Sequence, residues 1–67
     1  MASDDDLYGL YTRVFGKVKS GTKLTNRDYA HHEQEKAAVT MAAGDCASGA
    51  PLRVKSKFLE ELKRRLS

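Results

Sequence analysis

Leu7, Leu10, Tyr11, Val14, Phe15 and Val18 recur at i, i+3, i+4, i+7, i+8 and i+11. That spacing is one apolar stripe of an α-helix, and it constrains this chain more than any other feature. A helix with one apolar face must bury it against a second layer. Only 67 residues are available to build that layer, and Cys46 is the only cysteine, so no disulfide can staple the monomer. A core of this size removes about 60% of the unfolded chain's surface from water, which leaves stability marginal. The expected compensation is a partner surface, foreign or a second copy. The lone thiol fits a reducing compartment, cytoplasmic or nuclear, rather than a secreted protein.

The first helix is expected over about 4–19. Ser3 with Asp6 three residues on makes a capping box with Asp in place of Glu, the three aspartates favour the positive end of the helix dipole, and Ser20-Gly21 supplies the stop. Gly9 and Gly16 lie opposite the stripe, seven residues apart. They admit two readings, a helix that ends early at Phe15 with Gly16 as its cap, or a groove where another backbone approaches closely.

The second helix is expected over about 26–43. Thr25 serves as N-cap with Asp28 at the third helical position, Leu24 and Tyr29 form a hydrophobic staple, and Gly44 ends the element. Its first half, His31 to Lys36, is polar and should be exposed, whereas Ala37 to Ala43 should be buried around Met41. Residues 44–51 read as a loop. A third helix is expected over about 52–66 with Pro51 near its first turn, a core stripe of Leu52, Leu59, Leu62 and Leu66, Phe58 at the edge, and Lys55 snorkelling out of that stripe. The fold class is all-α: one small domain over 1–67, with residues 1–3 frayed, as a three-helix bundle or open helical array.

Chemistry-bearing constellations are sparse. His31 and Glu35 are one helical turn apart, with His32, Glu33 and Cys46 the other metal-ligand types nearby, but neither Cys-x-x-Cys nor His-Glu-x-x-His occurs, so no metal is expected. Cys46 reads as an inert loop residue, and no phosphate-cradling glycine motif or cofactor signature appears. The expectation is a non-enzymatic protein. No apolar run approaches the roughly 18 residues that span a bilayer, and the acidic start is unlike a basic leader, so neither a membrane anchor nor export is expected.

Charge is arranged in blocks: −3 over residues 1–6, +5 over 7–27, −3 over 28–50 and +4 over 51–67. Segregated charge steers partners. Two function classes follow. The first is a helical interaction module, a regulator, adaptor or assembly factor, that docks onto a protein or onto itself as a homo-oligomer through Leu7, Tyr8, Phe15, Phe58, Leu62 and Leu66. The alternative is a DNA- or RNA-binding regulator contacting phosphates through Lys17, Lys19, Lys23, Arg27, Arg53, Lys57 and Arg64, with Lys63 and Arg65 flanking. In that case Arg27 and Asn26 would use a helix N-terminus, and Asn26, Arg27, His31 and Gln34 could read base edges. Against it, Glu60–Arg64 and Glu61–Arg65 are oriented as ordinary i, i+4 pairs of a solvated face.

Overall fold

The computed structural model describes residues 3–29 and 32–67. It contains three helices, α1 Asp4–Ser20, α2 Glu33–Ala47 and α3 Lys55–Leu66, and is the small all-α bundle that the apolar periodicity requires.

α1 follows local rules throughout. The Ser3 hydroxyl accepts the Asp6 N–H at 3.2 Å while the Asp6 carboxylate accepts the Ser3 N–H at 3.3 Å, a complete capping box. Gly21, at φ 77°, ends the helix in the left-handed conformation, and the Thr22 N–H closes onto the Lys17 carbonyl at 2.9 Å. The helix therefore runs straight through Gly16, which is not its cap. Positions 9 and 16 also have no atom within 4 Å of where a Cβ would stand, so within this chain they form no close helix–helix approach.

α2 departs from the sequence expectation at both ends. Thr25 and Asp28 do interact, but they close an isolated turn: the Asp28 N–H donates to the Thr25 carbonyl at 2.9 Å, and the Asp28 carboxylate accepts the Thr25 N–H and hydroxyl. The cause lies fifteen and eleven residues earlier. Arg13 and Lys17 of α1 reach Asp28 at 3.0 and 2.7 Å and draw its carboxylate into the only buried charged position among the described residues. A helix starting at Asn26 would carry that carboxylate elsewhere, so α2 begins at Glu33, behind the extended His32. Arg27 and Asn26 consequently sit in an exposed turn rather than at a helix N-terminus. Tyr29 is 57% exposed and does not form the anticipated staple. At the other end the helix passes Gly44 and includes Cys46. Its terminator is Gly49 at φ 76°, where the Ala50 N–H meets the Asp45 carbonyl at 2.9 Å.

α3 starts three residues later than its apolar pattern implies, because Val54 is extended and Pro51 lies in the connector before it. Leu52 thereby leaves the core stripe at 45% exposure, and Leu66 at the far end is 38% exposed. Lys55 does not have to snorkel from a buried stripe; it opens the helix and pairs with Asp5 of α1.

The core comprises Leu7, Tyr11, Val14 and Phe15 from α1, Ala38, Met41 and Ala42 from α2, and Phe58 and Leu62 from α3. The small residues of α2 let α1 close onto it around Met41. Phe58 lies 4.5 Å from Tyr11, centroid to centroid, in a tilted arrangement that suits the quadrupoles of both rings. Because Phe58 is completely buried, truncating it to Ala is expected to cost about 3–5 kcal/mol. Against the 5–15 kcal/mol typical of whole domains, this should leave F58A largely unfolded in a urea titration followed by circular dichroism. A wild-type-like midpoint would contradict this packing.

Asp28 yields a second expectation. Lys17 first, then the Thr25 backbone N–H and hydroxyl, hold its carboxyl well below the usual carboxylate range despite its burial. A group whose folded pKa is depressed stabilises the fold fully above its unfolded value and ceases to do so as pH falls. Melting temperature should therefore drop as pH is lowered through and below about 4, the ordinary aspartate range. D28N should melt lower at neutral pH and show a flatter acid limb; superimposable acid limbs would exclude the Asp28 contribution.

Candidate interaction surface

A second polar cluster organises the side of the molecule where α3 begins. The Tyr11 ring is in the core, yet its hydroxyl emerges to donate to Asp45 Oδ2 at 2.7 Å. Arg53 Nε donates to the same oxygen at 2.6 Å, and the opposite edge of that guanidinium pairs with Glu61 on α3. Tyr8 donates its hydroxyl to the Arg53 carbonyl at 3.2 Å. Arg53 therefore ties the end of α2, the middle of α3 and, through two tyrosines, α1. The planar guanidinium suits this task because its donors fan out in fixed directions.

The protonation states follow from that geometry. Burial first, then the hydrogen bond to Asp45 and its negative charge, pushes the Tyr11 phenol up to about 12. Burial raises the Asp45 carboxyl, but the Arg53 and Tyr11 hydrogen bonds outweigh it and leave the group below its usual range. Glu61, then Asp45, keep Arg53 firmly charged.

Clamping Arg53 inward has a consequence for its neighbours. Residues 51–54 form a strap without regular secondary structure ahead of α3: Leu52 is 45% exposed, Arg53 is half-buried and Val54, in extended conformation, is 61% exposed. Two aliphatic side chains are thus held in water by a fixed backbone. A separate hollow of about 150 Å³ lies at the end of the bundle, lined by Leu7, Leu59, Leu62, Leu66 and Gln34 and edged by Asp4 and Lys63. A third, shallow depression lies between Tyr29 and the outer face of α2 at Lys36, Val39 and Thr40.

The residues expected to meet a partner are distributed unevenly over these features. Leu7, Phe15, Phe58 and Leu62 are core residues, each at most 6% exposed. Tyr8 is half-buried and anchors the strap, and Leu66 remains reachable. Of the basic residues, Lys17 is engaged by Asp28 and Arg53 by Asp45 and Glu61. Lys19, Lys23, Arg27, Lys57 and Arg64 are exposed. Arg53 precedes α3, so it does not share a helical row with Lys57 and Arg64, although all three border one open groove together with Glu60 and Glu61. On α3 itself, Arg64 approaches Glu61 at i, i+3 rather than Glu60 at i, i+4.

Cys46 is half-buried in the last turn of α2, not in a loop, and packs against the core. His31, and with it the His31–Glu35 pair, lies outside the described residues; His32 is exposed. Among the described residues no three of His, Cys, Asp and Glu gather closely enough to hold a metal ion, and no helix is long and apolar enough to cross a membrane. Comparison with protein-family models, with curated proteins and with solved structures finds no match to this chain.

Sequence reasoning missed Asp28, Asp45, Leu52 and Val54. Asp28 carried a signal, its spacing from Thr25, but that signal pointed to a cap. Asp45 and Arg53 are eight residues apart across a chain reversal, a separation with no regular helical or strand meaning.

The Tyr11 environment can be tested directly. Folding holds the phenol protonated, so its contribution is complete below pH 10, the ordinary value, and is lost as pH rises towards 12. Titration of phenolate absorbance should resolve one phenol at about 12 that disappears in Y11F. Loss of helical signal should accompany that titration. A wild-type curve with no component above the ordinary tyrosine range would refute the buried hydrogen bond to Asp45.

Proposed function

We propose that this chain is a non-enzymatic helical interaction module that docks onto a protein, either a foreign partner or a second copy of itself, through apolar side chains held on a rigid frame. The observation that carries this reading is the strap: Leu52 and Val54 stand in water on both sides of an arginine locked to Asp45 and Glu61. Isolated exposed aliphatic residues are common and mean little. A pair fixed by a polar clamp differs, because the conformational entropy of presenting it to a partner has been removed in advance. Tyr8 adds to the fixation by holding the Arg53 carbonyl.

The polar chemistry of the chain points the same way. Its buried carboxylate, Asp28, and its phenol–carboxylate–guanidinium cluster are directed at one another and at the joints between helices. Such groups organise a frame that presents a surface. The exposed cations Lys19, Lys23, Arg27, Lys57 and Arg64 would then set the approach of an acidic partner face.

The test is capture from native lysate, with and without nuclease, using wild type and the double variant L52D/V54D. Both substitutions are at exposed positions, so the helical spectrum and melting temperature should be close to wild type. The expected outcome is a stoichiometric, nuclease-resistant protein band that the double variant recovers at least tenfold less well. Recovery that nuclease abolishes would favour phosphate contacts by the exposed cations instead. In that event affinity should fall steeply with salt, by about 0.9 logarithmic units per tenfold salt for each phosphate contacted on duplex DNA. Equal recovery by the two proteins would sink the strap as the docking element.

A further inference from the structure

We propose that the leucine-walled hollow at the end of the bundle is a self-docking site, seating Leu66 of a second copy of this chain, with Asp4 of each copy facing Lys63 of the other across a two-fold axis. This rests on the interaction-module reading and names one of its partners.

The hollow lies where the first turns of α1 meet the last turns of α3, with Leu7, Leu59 and Leu62 lining it and the neutral Gln34 of α2 alongside. Its volume decides what class of occupant it takes. Small-molecule sites usually run to about 300–1,000 Å³. This one, at about 150 Å³, is nearer the ~150 Å³ apolar cavity that accommodates a single benzene ring. One aliphatic side chain is the right scale.

The chain itself carries a matching side chain at the rim. Leu66 is 38% exposed and closes α3. In an isologous contact each surface patch meets its own copy, so a patch that is both hollow and apolar projection can satisfy itself. The charges meet the same condition. Asp4 and Lys63 edge the hollow with opposite signs, and among the described residues neither is in an ion pair. A rim with one acid and one base is complementary to itself after a two-fold rotation. A uniformly basic or acidic rim would have called for a foreign partner.

Magnitude sets the strength. The hollow is built from far fewer residues than the roughly 20–30 per side of a standard stable interface, so the pair belongs among weak, transient contacts. Association in the micromolar range or weaker follows, with a dependence on salt from the two exposed charge pairs.

Sedimentation equilibrium of the full chain from low micromolar to millimolar concentration is the experiment, applied to wild type, L66E, D4K, K63E and an equimolar mixture of D4K with K63E. Wild type should show a reversible monomer–dimer equilibrium, and L66E should weaken it at least tenfold. D4K alone and K63E alone should each weaken it by placing like charges together. The mixture should recover association, because D4K offers two cations to the two anions of K63E, and generic stickiness does not produce that rescue. Circular dichroism checks folding; if D4K loses helix through its altered first turn, K63E and L66E still carry the test, since both positions are exposed. A wild type that stays monomeric throughout overturns the proposal. So does a dimer indifferent to L66E and to the charge exchanges, which would leave self-docking by another face intact. A photoreactive group at position 63 that labels a foreign protein in lysate but never a second copy in pure solution also overturns it, while the docking reading survives. Failure of the strap experiment alone leaves this site untouched.

Discussion

Arg53 and Asp45 meet at the point where three helices and a connector converge, and most of what distinguishes this structure from a generic helical hairpin passes through them. Their contact at 2.6 Å is partly shielded from water. In such a position the charge attraction is stronger than on an open surface, and the cost of leaving either partner alone is larger still. Glu61 occupies the other edge of the guanidinium and the Tyr11 hydroxyl shares the Asp45 oxygen, so neither charge is left to burial without compensation. Arg53 so held lies in the connector before α3 rather than on the helix. The late start of α3 behind Pro51 and the extended Val54, and the outward placement of Leu52 and Val54, accompany that clamp.

Asp28 plays the corresponding part for the longer connection. A carboxylate 1% exposed is tolerated only with several donors around it, and Arg13, Lys17 and Thr25 provide them. The loop after α1 is thereby tied to the outer side of that helix, which delays α2 until Glu33. The two clusters share a logic: each recruits a charge from a connection or a helix end and neutralises it against a charge on another element. A small core, nine residues among those described, three of them alanine or valine, gains from joints of this kind because they specify which way the helices face as well as how firmly they sit.

This inward use of charge redraws the block pattern. The +5 block at residues 7–27 is moderated where Arg13 and Lys17 answer Asp28, and the +4 block at 51–67 contains an arginine turned away from solvent. What remains outside is a set of separated cations and a few aliphatic side chains held by the frame.

The helices themselves were legible in the residues, α1 most completely, because its capping box, apolar spacing and terminal glycine all act within a few residues of one another. The membership of α1 in the core, the burial of Ala38, Met41 and Ala42, and the presence of a third helix with Leu62 on its core stripe follow from the same local periodicity, whereas Phe58, expected at the edge of that stripe, is completely buried. Tertiary structure decided the rest: that Thr25 and Asp28 close a turn instead of starting a helix, that α2 runs past Gly44 to Gly49, and that the apolar side chains left exposed around α3 are Leu52, Val54 and Leu66 at its ends. The end of α2 is a local glycine cap, but the turn at Asp28 and the strap at Arg53 are held by residues from different elements, Asp28 with Arg13 and Lys17 and Asp45 with Arg53 and Tyr11. Periodicity and capping register only what lies within about one turn along the chain, whereas a buried charge takes its conformation from whichever distant group can neutralise it.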